Sequence, residues 1–115
     1  MTWTVEVEAR AQVDLDHAYS FFLEAALDLG EDRAGAARSA RTRLERTIAA
    51  AARLAVAAHV GTLHDDIAPG LRHVTIDGAI FWFRPDVASK VVRIIGIFHG
   101  GQDHLGRMLA RLTAE

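Results

Sequence analysis

Trp3, Val5 and Val7 alternate with Thr4, Glu6 and Glu8. This period of two predicts a half-buried strand, and its acidic outward side places it at a sheet edge. The period then changes. Leu15, Ala18, Tyr19, Phe22, Ala26 and Leu29 recur every three or four residues and form one apolar stripe of a helix. Asp14 stands just ahead of the stripe, where its carboxylate can cap the first turn. Gly30 ends the helix, and Glu31-Asp32 can cap the next one. The second helix is predicted from about Asp32 to Ala58. Leu44, Ile48, Ala51, Ala52 and Ala55 make its inner stripe, with Arg38, Arg41, Arg46 and Arg53 largely off it. Small alanines let two helices approach closely. Residues 14–58 therefore read as a helical hairpin packed as one layer on a sheet.

Gly61, Pro69 and Gly70 bound a loop that holds His59, His64, Asp65 and Asp66. Three strand-like runs follow. The first covers Arg72 to Ile76, and Asp77-Gly78 is a two-residue hairpin signal. The second, Ala79 to Arg84, is rich in β-formers, and Pro85-Asp86 opens the next turn. The third, Val91 to Phe98, is apolar on both faces, as befits a strand inside the sheet. Gly100-Gly101 stops it. Leu105, Met108, Leu109 and Leu112 predict a short amphipathic helix, with Arg107 and Arg111 on its other side. The expected fold is a single α+β domain over residues 1–115. In it a small, largely antiparallel β-sheet packs against an N-terminal helical hairpin, with a short C-terminal helix. Leu15, Tyr19, Phe22, Leu44, Ile48, Ile94 and Phe98 are expected in the core. Trp3 and Trp82 fit either the core or a partner groove.

Composition narrows the classes. A chain of 115 residues is long enough for one real core. It has no cysteine, which excludes a disulfide scaffold and thiolate chemistry. No apolar run approaches the roughly 18 residues of a membrane span. Residues 1–8 carry acids and no basic stretch, so a soluble, cytoplasmic protein is expected. Twenty-one alanines, 12 arginines, one lysine and no asparagine suggest a bacterial genome rich in G and C. The net charge of −2 argues against binding nucleic acid through a broad basic surface. That charge is segmental: eight acids and one base in residues 1–32, one acid and six arginines in 33–58, six of each sign beyond. Internal pairing of the acidic and basic segments is the simplest account.

Few residues suggest chemistry. His59, His64, Asp65 and Asp66 match no closed metal site and read as a solvated loop. His99, Asp103 and His104 cluster where the last strand leaves the sheet. A hydrogen bond between His99 and Asp103 would tie that turn. Arg72, Arg84 and Arg93 lie on the three C-terminal strands. If their parities agree, they form a cationic patch opposite the hairpin, able to grip phosphate or carboxylate. With His99 as general acid or base, the arginines could support RNA cleavage.

Gly70–Arg72 (GLR), Ile80–Arg84 (IFWFR) and Val92–Asp103 (VRIIGIFHGGQD) resemble the ParE branch of the RelE/ParE toxin superfamily. In that pattern a Gly-Leu-Arg strand start leads to an aromatic strand ending in Arg, then to a strand ending His-Gly-x-x-Asp. Ala11–Leu15 (A-x-x-D-L) agrees with the start of the hairpin. The resemblance implies the toxin of a type II toxin–antitoxin system, neutralised by a cognate antitoxin encoded by an adjacent gene. ParE-like members poison DNA gyrase and arrest growth, whereas RelE-like members cut mRNA on the ribosome and are usually basic. Gly78, Gly96 and Gln102 stand where the pattern often carries cations. With the near-neutral charge, they point to inhibition of gyrase or another topoisomerase by protein contact, without catalysis, cofactor or metal. The alternatives are a ribosome-dependent mRNA endonuclease, with His99, Arg84 and Arg93 catalytic, and a degenerate toxin that only binds its antitoxin. Expected partner-binding residues are Arg72, Arg84, Arg93, His99, Arg107 and Arg111. Asp103 is expected to be structural. Membrane association and direct nucleic-acid binding are not expected.

Overall fold

The computed structural model describes residues 2–100 and 102–114. Strand β1 (Thr4–Val7) leads into helices α1 (Ala9–Asp28) and α2 (Arg33–Ala52), and one 3-10 turn (Arg53–Val56) follows. Strands β2 (Thr62–Leu63), β3 (Arg72–Ile76), β4 (Ala79–Asp86) and β5 (Val91–His99) come next, then helix α3 (His104–Thr113). The five strands form one sheet in the order β1-β5-β4-β3-β2. β1 is an edge, as the acidic alternation requires. The sheet is mixed: β1 runs parallel to β5, and the other pairings are antiparallel. The two-residue β2 falls in a stretch that reads as loop in sequence.

Asp77 and Gly78 both take positive φ (51° and 81°), the two-residue hairpin whose twist suits paired strands. β4 runs through Pro85 and Asp86 rather than turning there, and the turn comes at residues 87–90. Asp86 Oδ1 accepts from Ser89 N to close it. β5 stops at His99, Gly100 follows in a turn, and Gly101 lies outside the described residues.

The helices start and stop elsewhere than the apolar stripes suggest. α1 begins at Ala9, so Asp14 lies inside the helix and caps nothing. Asp32 does cap α2, by accepting from Gly35 N at 2.7 Å. α2 ends at Ala52 and tightens into the 3-10 turn instead of running to Ala58. Its buried face is Ala36, Ala40, Thr47, Ala50 and Ala51. Ile48 is 51% exposed, Ala52 is exposed and Leu44 is half-buried. The close approach of α2 to its neighbours selects small residues for the contact, and the larger Ile48 is turned outward.

β5 carries a bulge. Trp82 pairs with Gly96 but Phe83 pairs with Ile94, leaving Ile95 as the extra residue. Ile94 and Ile97 therefore share one face although three positions apart. They pack with Phe81, Phe83, Leu54 and Ala11 under the helical hairpin. Ile95 and Phe98 face the other way, with Leu71, Trp82 and Met108 beneath α3. Ala18, Phe22 and Ala40 join α1 to α2. Trp82 is fully buried, while Trp3 is half-buried at the margin of the hairpin core. Both sheet faces are thus used, one by the hairpin and part of the other by α3. Among the described residues no helix is long and apolar enough to cross a membrane.

Candidate functional site

Arg84 and Arg93 are cross-strand partners on β4 and β5, so their side chains leave the sheet on the same face, the one α3 partly covers. They line an open cleft of about 460 Å³ with Glu8, Pro85, Asp86 and Ile95. Arg93 is bonded to Glu6 and lies 3.6 Å from Asp86. The Asp86 carboxyl sits below its ordinary range, chiefly through the Ser89 hydrogen bonds and then through Arg93. These acids offset the repulsion between two arginines placed side by side. Arg84 is half-buried and has no hydrogen bond or ion pair among the described residues. It is a cation held ready in the cleft.

The other expected residues do not gather there. Arg72 pairs with Phe83, whose side chain is in the hairpin core, so Arg72 emerges on the hairpin face. Its Nη1 donates to His59 O at 2.9 Å and ties the loop down. The parities of the three arginines therefore disagree, and the patch shrinks to two. His99 also points toward the hairpin, because the bulge reverses parity between Arg93 and His99. The His99 ring is edge-on to Phe22, and its Nε2 lies 3.1 Å from Thr47 Oγ1. Thr47 gives its hydroxyl proton to Arg43 O, so the threonine oxygen is the acceptor for His99 Nε2–H. Burial, and secondarily the charge of Arg43, push the His99 pKa down. It is a neutral, enclosed imidazole.

Asp103 does not hold His99. It caps α3 by accepting from Gly106 N at 3.0 Å. Gln102 takes the expected role: its Oε1 accepts from His99 N, and its own N–H donates to His99 O. Arg111 is committed internally. Its two Nη atoms grip both Asp14 oxygens at 2.9 Å, and Nη1 also donates to Ile95 O at 2.7 Å. Asp14 Oδ2 accepts from Ile97 N as well. Hydrogen bonding to Asp14 raises the Arg111 pKa, against the opposing effect of burial. Arg107 remains exposed on α3. Position 96 lies directly beneath α3, where glycine permits the approach of Met108.

One cluster escapes sequence reasoning. His64 Nε2 and His73 Nδ1 are 2.6 Å apart, and both rings lie against Trp82. Trp82 Nε1 donates to His104 Nδ1 at 3.1 Å. His73 is assigned no role in the sequence reading, although counting back from the Asp77-Gly78 turn places it opposite Trp82. Among the described residues no group of three His, Cys, Asp or Glu is arranged to hold a metal ion.

No protein-family model matches the sequence, and no curated protein is detectably similar to it. Solved structures are similar in shape. The RelBE2 toxin–antitoxin complex of Mycobacterium tuberculosis superposes with a TM-score of 0.60 at 15% identity, over 89% of this chain and 95% of that one. The chromosomal ParDE system of P. aeruginosa gives 0.54 at 17% identity, over 85% and 96%. The chain has the fold of the RelE/ParE toxins. A mutant of the E. coli toxin RelE in its free state agrees, with a TM-score of 0.56 at 10% identity over 96% and 97%.

Proposed function

We propose that this chain is the toxin of a type II toxin–antitoxin module and is neutralised by a cognate antitoxin encoded next to it. On this reading it acts in the cytoplasm by protein–protein contact with DNA gyrase or another topoisomerase. The observation that supports a non-catalytic mode is the separation of His99 from Arg84 and Arg93. General acid–base cleavage of RNA needs an imidazole within hydrogen-bond reach of the phosphate that the cations hold. Here the imidazole faces Phe22 and Thr47 and the arginines face the opposite side of the sheet. Arg84, unpartnered in its cleft, and exposed Arg107 suit the carboxylates of a protein target. The reading needs no cofactor or metal. Inducible expression should arrest growth with filamentation, and purified protein should inhibit gyrase supercoiling. Normal supercoiling at saturating protein would sink the topoisomerase reading. Growth arrest should disappear when the product of the neighbouring gene is co-expressed.

A second reading, a ribosome-dependent mRNA endonuclease, draws support from the likeness to RelE structures. It requires codon-dependent cuts in translating mRNA that vanish with Arg84→Ala, and intact transcripts after induction would remove it. A tight antitoxin complex with no growth phenotype would leave an antitoxin-binding module.

A further inference from the structure

His64, His73 and His104 come from the loop after β2, from β3 and from the first turn of α3, and meet around the buried indole of Trp82. The His73 ring lies 4.9 Å from that of His64 and 5.3 Å from that of His104, centroid to centroid. The arrangement fixes where protons can be. The 2.6 Å contact between His64 Nε2 and His73 Nδ1 needs one proton between two nitrogens. That state tolerates at most one charge on the pair, because a second proton puts hydrogen on both facing nitrogens. His104 Nδ1 must be bare to accept from Trp82 Nε1, so its proton is on Nε2. Protonating His104 Nδ1 would break that bond and strand the N–H of a fully buried indole. His104 is also the first residue of α3, where the helix dipole disfavours a positive charge.

Among the described residues no carboxylate bonds any of the three rings. Asp65, in the loop, accepts from Gly70 N. Asp103, on the N-terminal side of α3, caps Gly106 N. Asp66 is exposed. Arg84 comes next along the same face of β4, and Arg107 lies one turn along α3 from His104, so both add positive charge. Burial, then the charges of His64 and His104, lower the His73 pKa, so this ring resists taking a proton where the geometry already leaves little room for one.

We propose that the three imidazoles are an acid-sensitive latch on the N-terminal half of α3. Neutral, they clasp His104 to Trp82 and keep the apolar sheet face covered. Charged, they repel one another and release that end of the helix. Arg111, gripped by Asp14 and by Ile95 O, holds the other end, so the helix opens about its C-terminal half. The face exposed would be Trp82, Ile95, Phe98 and Leu71, the apolar cluster that Met108 now covers.

Amide hydrogen exchange resolved by segment tests this, with rates corrected for the intrinsic effect of pH. Between pH 7.5 and 5.0, protection of residues 105–109 should fall at least tenfold more than that of α1 and α2, which carry only the global loss set by His99. The combined variant His64→Gln, His73→Asn, His104→Asn keeps an amide where each bonding nitrogen stands and cannot charge. It should keep α3 protected at pH 5.0. If it does not fold, His104→Asn alone serves, since it still accepts from Trp82, and it should lose less protection than wild type. Equal protection of α3 at both pH values in the wild type would overturn the latch. So would an undiminished acid loss in the variants. A loss shared equally by α1 and α2 would place the sensor at His99 and would also overturn it.

Discussion

A methyl group at position 96 would stand 2.7 Å from Met108 Sδ and 2.9 Å from Phe98 Cε2. In sequence, Gly96 reads only as a missing cation. In the structure it is the floor on which α3 rests. Gly96→Ala should cost about 1–3 kcal/mol, the usual toll of overpacking, read as a lower urea midpoint at constant slope. Asp14 makes a sharper case. Asp14→Ala leaves the largely buried Arg111 guanidinium without its counter-charge, with Ile95 O as its remaining acceptor, and leaves the Ile97 N–H without a partner. The expected loss is about 3 kcal/mol or more in urea unfolding. His99 sets a pH dependence. Its folded pKa lies below the ordinary value of about 6.5, so the unfolded chain takes the proton more readily. Stability is therefore full above that value and falls as pH drops through the folded pKa. The urea midpoint should decline from pH 7.5 to 5.0, and His99→Gln should flatten the decline.

Among the elements, β1, β3, β4 and β5 and the β3–β4 turn were legible, while β2, the end of β4 and the phase of α2 were not. Alternation marks β1, a run of β-formers marks β4, and Asp77-Gly78 fixes the register of β3 on β4, His73 opposite Trp82 included. α2 is rich in alanine, so its apolar contrast is low and two faces look nearly alike. The two large apolar residues, Leu44 and Ile48, drew the stripe to the wrong side. Paired substitutions, one in α2 and one in the 3-10 turn that continues it, separate the two phases. Leu54→Ala, at a fully buried site, should cost about 2–5 kcal/mol, while Ile48→Ala should stay within about 0.5 kcal/mol, both by urea unfolding. The β5 bulge was invisible for a related reason. A strand that is apolar on both faces gives no alternation, and therefore no sign of where it slips by one. That slip decides the candidate site, because it alone turns His99 away from Arg93.

For the whole molecule, composition and element order pointed to the fold, and the strand arginines pointed to one face of the sheet. What they could not show is which partners each side chain had already found. Arg72, Arg111 and His99 are occupied by groups distant in sequence, and such pairings depend on topology rather than on local pattern. Among the described residues expected at the contact surface, Arg84 and Arg107 keep a charge with no partner, and Arg84 is the one in the cleft. Arg84→Glu should abolish growth arrest on induction while moving the urea midpoint little. An unchanged arrest would remove the cleft from the contact surface.

The clamp between Asp14 and Arg111 spans 97 residues of chain. β1 likewise waits for β5 before it has a neighbour. During synthesis Asp14 is made 97 residues before Arg111, which neutralises it. Contacts this distant in sequence also close slowly. The clamp that holds α3 to α1 therefore forms only after residue 111 has been made.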